Sequence, residues 1–269
     1  MRQAPIRNGD GSYREPAWRP SPRLLAGLAL FAGFVALCLW IVDVDIARLV
    51  RGIPRLIDWA GRAWPPDFTE WDALLLRAGE TLAIGTLGTL FATALALPLA
   101  VLAAKPLTPS PAVRQPVRAV LDTLRGVDGF VFALLFVAAV GLGPFAGMLG
   151  VLLHSAGSIA KLWAEDIEGA DKGPIEALSL TGAGRTRMAA FAILPDRLPN
   201  LTGTVLYIWE FNVRASTVLG IVGAGGLGQE LKSAVDLLLF DRVLAILIVI
   251  LLLVTAIDRT SAFLRARLA

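Results

Sequence analysis

Thr81-Leu-Ala-Ile-Gly-Thr-Leu-Gly-Thr-Leu-Phe-Ala-Thr-Ala-Leu-Ala-Leu-Pro-Leu-Ala-Val-Leu-Ala-Ala104 runs for 24 residues without a charge. A helix crosses the ~30 Å hydrocarbon core of a bilayer with about 20 such residues. The stretch reads as a membrane span that tolerates Pro98. Other parts of the chain repeat the signal. Leu24–Val42 gives 19 uncharged residues and reads as a first transmembrane anchor. It is longer than a signal-peptide apolar region, and Val42-Asp43-Val44-Asp45 offers no small-residue cleavage site. Gly129–Ala160 holds 32 residues without a formal charge, too many for one helix. Gly141-Leu-Gly-Pro144 marks a turn that splits this run into spans three and four. Span three is then short and recruits the stretch from Ala119, with Asp122, Arg125 and Asp128. Span five covers Leu198–Ile221 and contains Glu210, Asn212 and Arg214. Span six is Val243–Ile257, extended by Leu237–Phe240.

Composition agrees. The 269 residues are 56% hydrophobic and 17% charged, with a mean hydropathy of +0.67. A soluble domain is about 45–50% apolar and about 25% charged. A soluble enzyme and a disordered chain are both excluded, leaving an all-α polytopic membrane protein with six transmembrane helices. Cys38, the sole cysteine, cannot form an internal disulfide, and one His with one Cys makes no conventional zinc site, so no metal and no cofactor is expected. The formal charge of +3 gives no reason to expect nucleic acid as a partner.

Charge placement sets an expected orientation. With the N-terminus in the cytoplasm, the inner segments carry seventeen Lys and Arg against seven in the outer ones. The positive-inside rule then puts both termini inside. The expected organisation is a basic cytoplasmic tail at 1–23, the anchor at 24–42, an outer segment at 43–80, a core at 81–258 and a cytoplasmic tail at 259–269. Ile46, Leu49, Val50, Ile53, Ile57 and Ala60 recur at helical spacing in the outer segment, predicting an amphipathic helix interrupted or kinked at Pro54. It either lies on the membrane surface or packs as a connector.

The longest inner loop between spans, 161–197, predicts two short helices, with Pro174 suited to a first turn and Gly182 and Gly184 separating them. Within it, Glu176-Ala-Leu-Ser-Leu-Thr-Gly182 is followed after nine residues by Ala192-Ile-Leu-Pro195. This resembles the EAA loop of ABC-importer permeases, with Leu178 replacing the second Ala and Ala192 standing where Ile is usual. Further on, Tyr207-Ile-Trp-Glu-Phe-Asn-Val-Arg-Ala-Ser-Thr-Val-Leu-Gly220 precedes Ile221-Val-Gly-Ala-Gly-Gly-Leu-Gly-Gln-Glu230. These segments resemble those of phosphonate-type permeases, and the glycine-rich half is shared by methionine-type permeases. Trp64-Pro-Pro-Asp-Phe68 and Phe136-Val-Ala-Ala-Val-Gly-Leu-Gly-Pro144 point the same way. The resemblance covers roughly residues 60–260.

The resemblance implies a MetI-like permease core in a bacterial cytoplasmic membrane, working as the membrane subunit of an ATP-driven ABC importer for phosphonate, phosphite or phosphate. It implies three kinds of partner: two copies of an ATP-binding subunit, an extracytoplasmic substrate-binding protein, and a second permease copy in a homodimer. Glu176, Ala177, Gly182, Leu194 and Pro195 would couple to the ATPase. No G-x-x-x-x-G-K-[ST] occurs, so the permease itself is non-catalytic and ATP is hydrolysed elsewhere. Competing readings are an ABC permease for another solute such as methionine, an ion-coupled secondary transporter, and an intramembrane enzyme. No convincing internal repeat favours a secondary transporter.

Glu210 and Arg214, four residues apart in a span, can pair on one helix face, with Asn212 on nearly the opposite face. They are either a structural ion pair or a polar lining of the translocation path, where Arg214 would meet an oxyanion. Trp209, Asn212 and His154 join the path candidates. His154 and Ser155 are adjacent on a helix and point about 100° apart, so they make no nucleophile–base pair. Gly223-Ala-Gly-Gly-Leu-Gly228 matches a dinucleotide fingerprint literally but lacks its βαβ setting. Gly223, Gly225, Gly226 and Gly228 are expected to permit close packing or irregular backbone in a gate region.

Overall fold

The computed structural model describes residues 6–7, 13–14 and 21–268. Most of the basic tail expected at 1–23 lies outside the described residues. The chain divides into two compact units, 1–58 and 59–269.

In the first unit, β1 (Ile6–Arg7) pairs antiparallel with β2 (Tyr13–Arg14). Helix α1 (Pro22–Ile41) is the expected anchor, begun by Pro22 and by the Ser21 hydroxyl, which accepts from the Leu24 amide. None of its side chains is buried by the rest of the chain, as suits a helix facing lipid. After a tight turn, α2 (Ile46–Arg62) carries the apolar positions on one face and Arg48, Arg51 and Arg55 on the other. Pro54 is accommodated inside α2 rather than dividing it.

The second unit is a helical bundle. Its elements are α3 (Trp71–Ala103), α4 (Pro111–Gly126), α5 (Gly129–Val140), α6 (Pro144–Glu168), α7 (Lys172–Leu180), α8 (Arg185–Met188), α9 (Leu194–Leu219), α10 (Gly226–Asp236) and α11 (Phe240–Leu268). A π-helical turn, Ala189–Ile193, joins α8 to α9, so 185–222 forms one helical run. Among the described residues, five helical stretches are long and apolar enough to cross a membrane: α1, α3, α6, 185–222 and α11.

The sixth crossing is broken. Span three was expected as one helix from Ala119, but the chain bends by 86° between α4 and α5. Arg114, Arg118, Asp122 and Arg125 make α4 too polar to lie in lipid, whereas α5 is wholly apolar. The Asp128 carboxylate accepts from the Phe130 amide and starts α5 afresh. The two pieces still follow α6 from end to end. Arg118 pairs with Glu168 at 2.9 Å, Asp122 with Lys161 at 2.9 Å, and the Val127 carbonyl with His154 at 2.9 Å. Ala133 then lies against Gly150, where an added Cβ would come within 2.7 Å of its amide nitrogen. Together α4 and α5 run antiparallel to α6 as a bent pair, the geometry of a broken span or a re-entrant loop.

Small residues hold the bundle together. Buried Gly85, Gly88, Ala92, Ala96 and Ala100 of α3 face buried Gly147, Gly150, Ala156 and Ala160 of α6 and residues of α9. In lipid, association rests on close backbone approach and interhelical hydrogen bonds rather than on the hydrophobic effect. At the end where α10 lies, Leu74, Leu227, Ala234, Ala245, Ile246 and Val249 pack α10 between α3 and α11.

Two boundaries differ from expectation. Helix α3 begins at Trp71, ten residues before the uncharged run, because Arg77 and Glu80 pair at 2.9 Å and remain helical. Helix α11 continues to Leu268, so the segment expected as a tail from 259 carries on the helix of span six.

Candidate functional site

Helix α7 stands at the end of the bundle away from α10. The Asp171 carboxylate accepts from the Gly173 amide at 3.1 Å and starts it. Ile175 and Leu178 pack inward, while Glu176 and Ala177 are exposed. Leu178, the departure from the EAA pattern, therefore leaves the outward face unchanged. Leu180 is 89% exposed, a large apolar side chain with nothing of its own chain over it. Gly182 closes the helix with φ +73°, its amide donating to Ser179 while the Ala183 amide donates to Leu178. Gly182 was expected to seat closely against the ATP-binding subunit; within this chain a Cβ there would meet nothing within 4 Å. Within this chain, backbone conformation alone demands glycine. Leu194 and Pro195 are exposed at the start of α9, beside buried Ala192 and Ile193.

The polar residues of α9 separate onto two faces. Asn212, 2% exposed, enters the seam with α3 and α6. Its amide NH2 donates to Thr89 Oγ1 at 2.8 Å and to Ser155 Oγ at 2.8 Å, and its oxygen accepts from Ser155 Oγ at 3.0 Å. Thr89 in turn donates to the Gly85 carbonyl at 2.6 Å. Every member is satisfied, as burial in a low dielectric requires. Trp209 reaches α3 through its indole N–H, which donates to Thr86 Oγ1 at 3.0 Å.

Glu210 and Arg214 pair as the spacing predicted, and α11 adds two partners that the sequence did not suggest. Arg265 reaches Glu210 Oε2 at 3.3 Å, and Arg214 reaches Asp258 Oδ1 at 3.3 Å. The result is a row of four alternating charges, Arg265, Glu210, Arg214 and Asp258. The Glu210 side chain is 14% exposed, whereas Arg214 and Asp258 are nearly half exposed.

Arg214 also lines a cleft of about 500 Å³, with Phe211, Ala215 and Val218 of α9, His154 of α6 and Phe130 of α5. The Val127 carbonyl accepts from His154 Nδ1, which fixes the tautomer of the neutral ring. Asn212 forms part of the cleft wall while its amide hydrogen-bonds into the seam. The cleft thus combines apolar walls, an imidazole edge, one guanidinium and the Asp128 carboxylate, which is engaged by the Phe130 amide.

The glycine segment follows a 3-10 turn, Gly220–Val222. Gly223, Gly225 and Gly226 have φ of +87°, +82° and +71°, a left-handed run that side chains would strain. Gly228 serves close approach instead, since a Cβ there would sit 1.7 Å from the Thr217 carbonyl oxygen. Glu80 accepts from the Gly226 amide at 3.0 Å and Thr81 Oγ1 from the Leu227 amide at 2.8 Å, so α3 caps α10. Arg242 fastens the other side, pairing with Glu230 and Glu70 at 2.5 Å each. Among the described residues, no cluster of His, Cys, Asp and Glu could hold a metal ion.

Comparison with known proteins adds a family. Residues 96–269 match the family described as binding-protein-dependent transport system inner membrane component. HtxC of Stutzerimonas stutzeri, which bears the name of a phosphite transport system permease protein, is 47% identical over 90% of this chain and 86% of its own length. The phosphite transport system permease protein PtxC of the same organism is 39% identical over 90% of this chain and 89% of its own. The phosphate-import permease protein PhnE of Mycolicibacterium smegmatis is 43% identical over 77% of this chain, which spans 39% of that longer protein. Among solved structures, an inward-facing MetNI methionine ABC transporter chain superposes with a TM-score of 0.63 at 22% identity, covering 73% of this chain and 96% of that one. An amino acid ABC transporter chain covers 83% of this chain and 99% of its own, with a TM-score of 0.59 at 16% identity.

Proposed function

Because the chain belongs to the family of binding-protein-dependent transport system inner membrane components, we propose that it is the membrane-spanning subunit of an ATP-driven importer for phosphite or a related phosphorus oxyanion. The observation that carries the substrate class is the pair of phosphite permeases that each align with nine-tenths of this chain. A guanidinium on a cleft wall suits it chemically, because its fork of N–H donors matches the oxygens of an oxyanion.

In this reading both termini and α7 lie in the cytoplasm, and the glycine segment faces outward. Glu176, Ala177 and Leu180 on the free face of α7, with Leu194 and Pro195 nearby, dock on an ATP-binding subunit. Two such subunits serve a permease homodimer, and a separate extracytoplasmic protein delivers the substrate. Trp209, Glu210, Asn212, Arg214 and His154 belong to or brace the wall of the path, and Gly223, Gly225, Gly226 and Gly228 to its outer gate. ATP is hydrolysed on the partner, and the permease converts that cycle into alternating access.

The test is reconstitution in proteoliposomes with a cognate ATPase and binding protein. ATP-dependent phosphite uptake is the expected result; uptake of methionine with no response to phosphite, phosphate or phosphonate overturns the substrate class. Glu176→Lys and Gly182→Trp are expected to leave the permease inserted but reduce co-purification of the ATPase. Undiminished co-purification and uptake would refute docking through α7.

A further inference from the structure

The row of charges between α9 and α11 is asymmetric. Glu210 is largely buried and touches two guanidiniums, Arg214 and Arg265. Arg214 touches two carboxylates, Glu210 and Asp258. Asp258 sits at the open end of the row, its side chain 45% exposed, and meets Arg214 at 3.3 Å. Breaking that last contact disturbs the rest of the chain least, because neither side chain is buried by it, at 49% and 45% exposed. Breaking any contact of Glu210 would leave a buried carboxylate short of a partner. Arg214 is also the member of the row that lines the cleft.

From this placement we propose that Asp258 is a specificity-determining residue of the permease, a resident carboxylate that competes with the transported oxyanion for Arg214. The inference rests on the path role given to Arg214 above. With the cleft empty, Asp258 shares the Arg214 Nη2 with Glu210. An arriving oxyanion takes that place, and the Asp258 carboxylate turns toward water. Its return then helps expel the anion, keeping binding weak enough for passage. The exchange also disfavours neutral and zwitterionic solutes, which gain little by displacing a carboxylate from an arginine. No bond is made or broken; one charge-assisted contact replaces another.

The experiment uses the permease–ATPase complex in lipid nanodiscs, without binding protein, and titrates phosphite by calorimetry. Transport is measured in parallel in proteoliposomes with saturating binding protein. Asp258→Asn keeps the side-chain shape and removes the competing charge. The expected result is phosphite binding about fivefold tighter, the scale of one half-exposed ion pair, with slower turnover because release is delayed. Asp258→Glu carries the same charge farther toward Arg214 and is expected to weaken phosphite binding below wild type. This opposite shift keeps the test decisive should Asp258→Asn reach the membrane poorly. Wild-type affinity and turnover in both variants overturn the competition. The double variant Arg214→Gln with Asp258→Asn separates the two levels. If it matches wild type in binding and uptake, the path role of Arg214 itself fails. If it loses both while the Asp258 single variants match wild type, only the role of Asp258 fails.

Discussion

Asn212 and Arg214 stand two residues apart on α9, about 200° around the helix, and although both contribute to the cleft wall their polar groups meet opposite environments. Asn212 lies in a dry seam where each polar atom has a neutral partner. Arg214 lies at an open cleft where its charge is shared between a buried and a half-exposed carboxylate. A neutral, saturated network fixes the distance between helices and has nothing left to offer a ligand. A charged row with an exposed end retains a group that can change partners. Polar residues inside a membrane thus serve rigidity on one face of α9 and, in the proposal made above, exchange on the other.

The largest test falls on the rigid face. Gly85 backs onto Val213, where a Cβ would lie 2.8 Å from the Val213 Cα. Gly85→Leu is expected to abolish folded protein, read as the loss of monodisperse material after detergent extraction. Normal yield would mean that the seam can open and that the contrast drawn above is weaker than stated. Next comes Asn212→Ala, which orphans Ser155 and removes the donor to Thr89; a loss of about 2 kcal/mol is expected, seen as a lower thermal midpoint. Adding Ser155→Ala and Thr89→Val is expected to recover part of it, since no buried group then lacks a partner.

On the exchanging face, exchanging Glu210 and Arg214 alone would place Arg against Arg265 and Glu against Asp258. A destabilisation of about 1–2 kcal/mol is expected, read as reduced membrane abundance. Inverting Asp258 and Arg265 as well restores every opposite-charge contact and is expected to restore abundance. Uptake by this fourfold variant stays low if Arg214 meets the anion and recovers if the row is only a brace. The smallest effect is expected at Thr86→Val, which removes the partner of the half-buried Trp209 indole and costs about 0.5–1 kcal/mol. A larger loss would put Trp209 with Asn212 in the rigid seam.

The legibility of these features in the sequence divides along physical lines. Uncharged runs announce spans because the bilayer acts on each helix independently of its neighbours, so α1, α3, α6 and α11 were readable, and α9 was readable from its apolar content despite Glu210 and Arg214. The i,i+4 pair of Glu210 and Arg214 was readable because helix geometry fixes it. Arg265 and Asp258 were not, because as charges near the end of span six they resemble ordinary flanking residues. Only the pairing of α9 with α11 brings Arg265 to Glu210 and Asp258 to Arg214. The break at Asp128 was half visible: the charges of α4 argued against a buried span, but no local signal fixed an 86° turn. At Gly182 the residue type was readable and its cause was not, since a left-handed cap and a tight contact both call for glycine.

The uninterrupted run from Arg185 to Val222 has a mechanical consequence. Its 38 residues span about 57 Å at ~1.5 Å per residue. One end lies beside α7, and the other leads into the left-handed glycines. Over that length a tilt of about 5° about one end displaces the other by about 5 Å, roughly the pitch of one helical turn. The π-helical turn sits near the α7 end, where a slight rewinding would swing the whole length that follows. Leverage of this kind would let a small angular step at the loop shift the glycine segment by a distance comparable to the width of an oxyanion, with no unfolding between them.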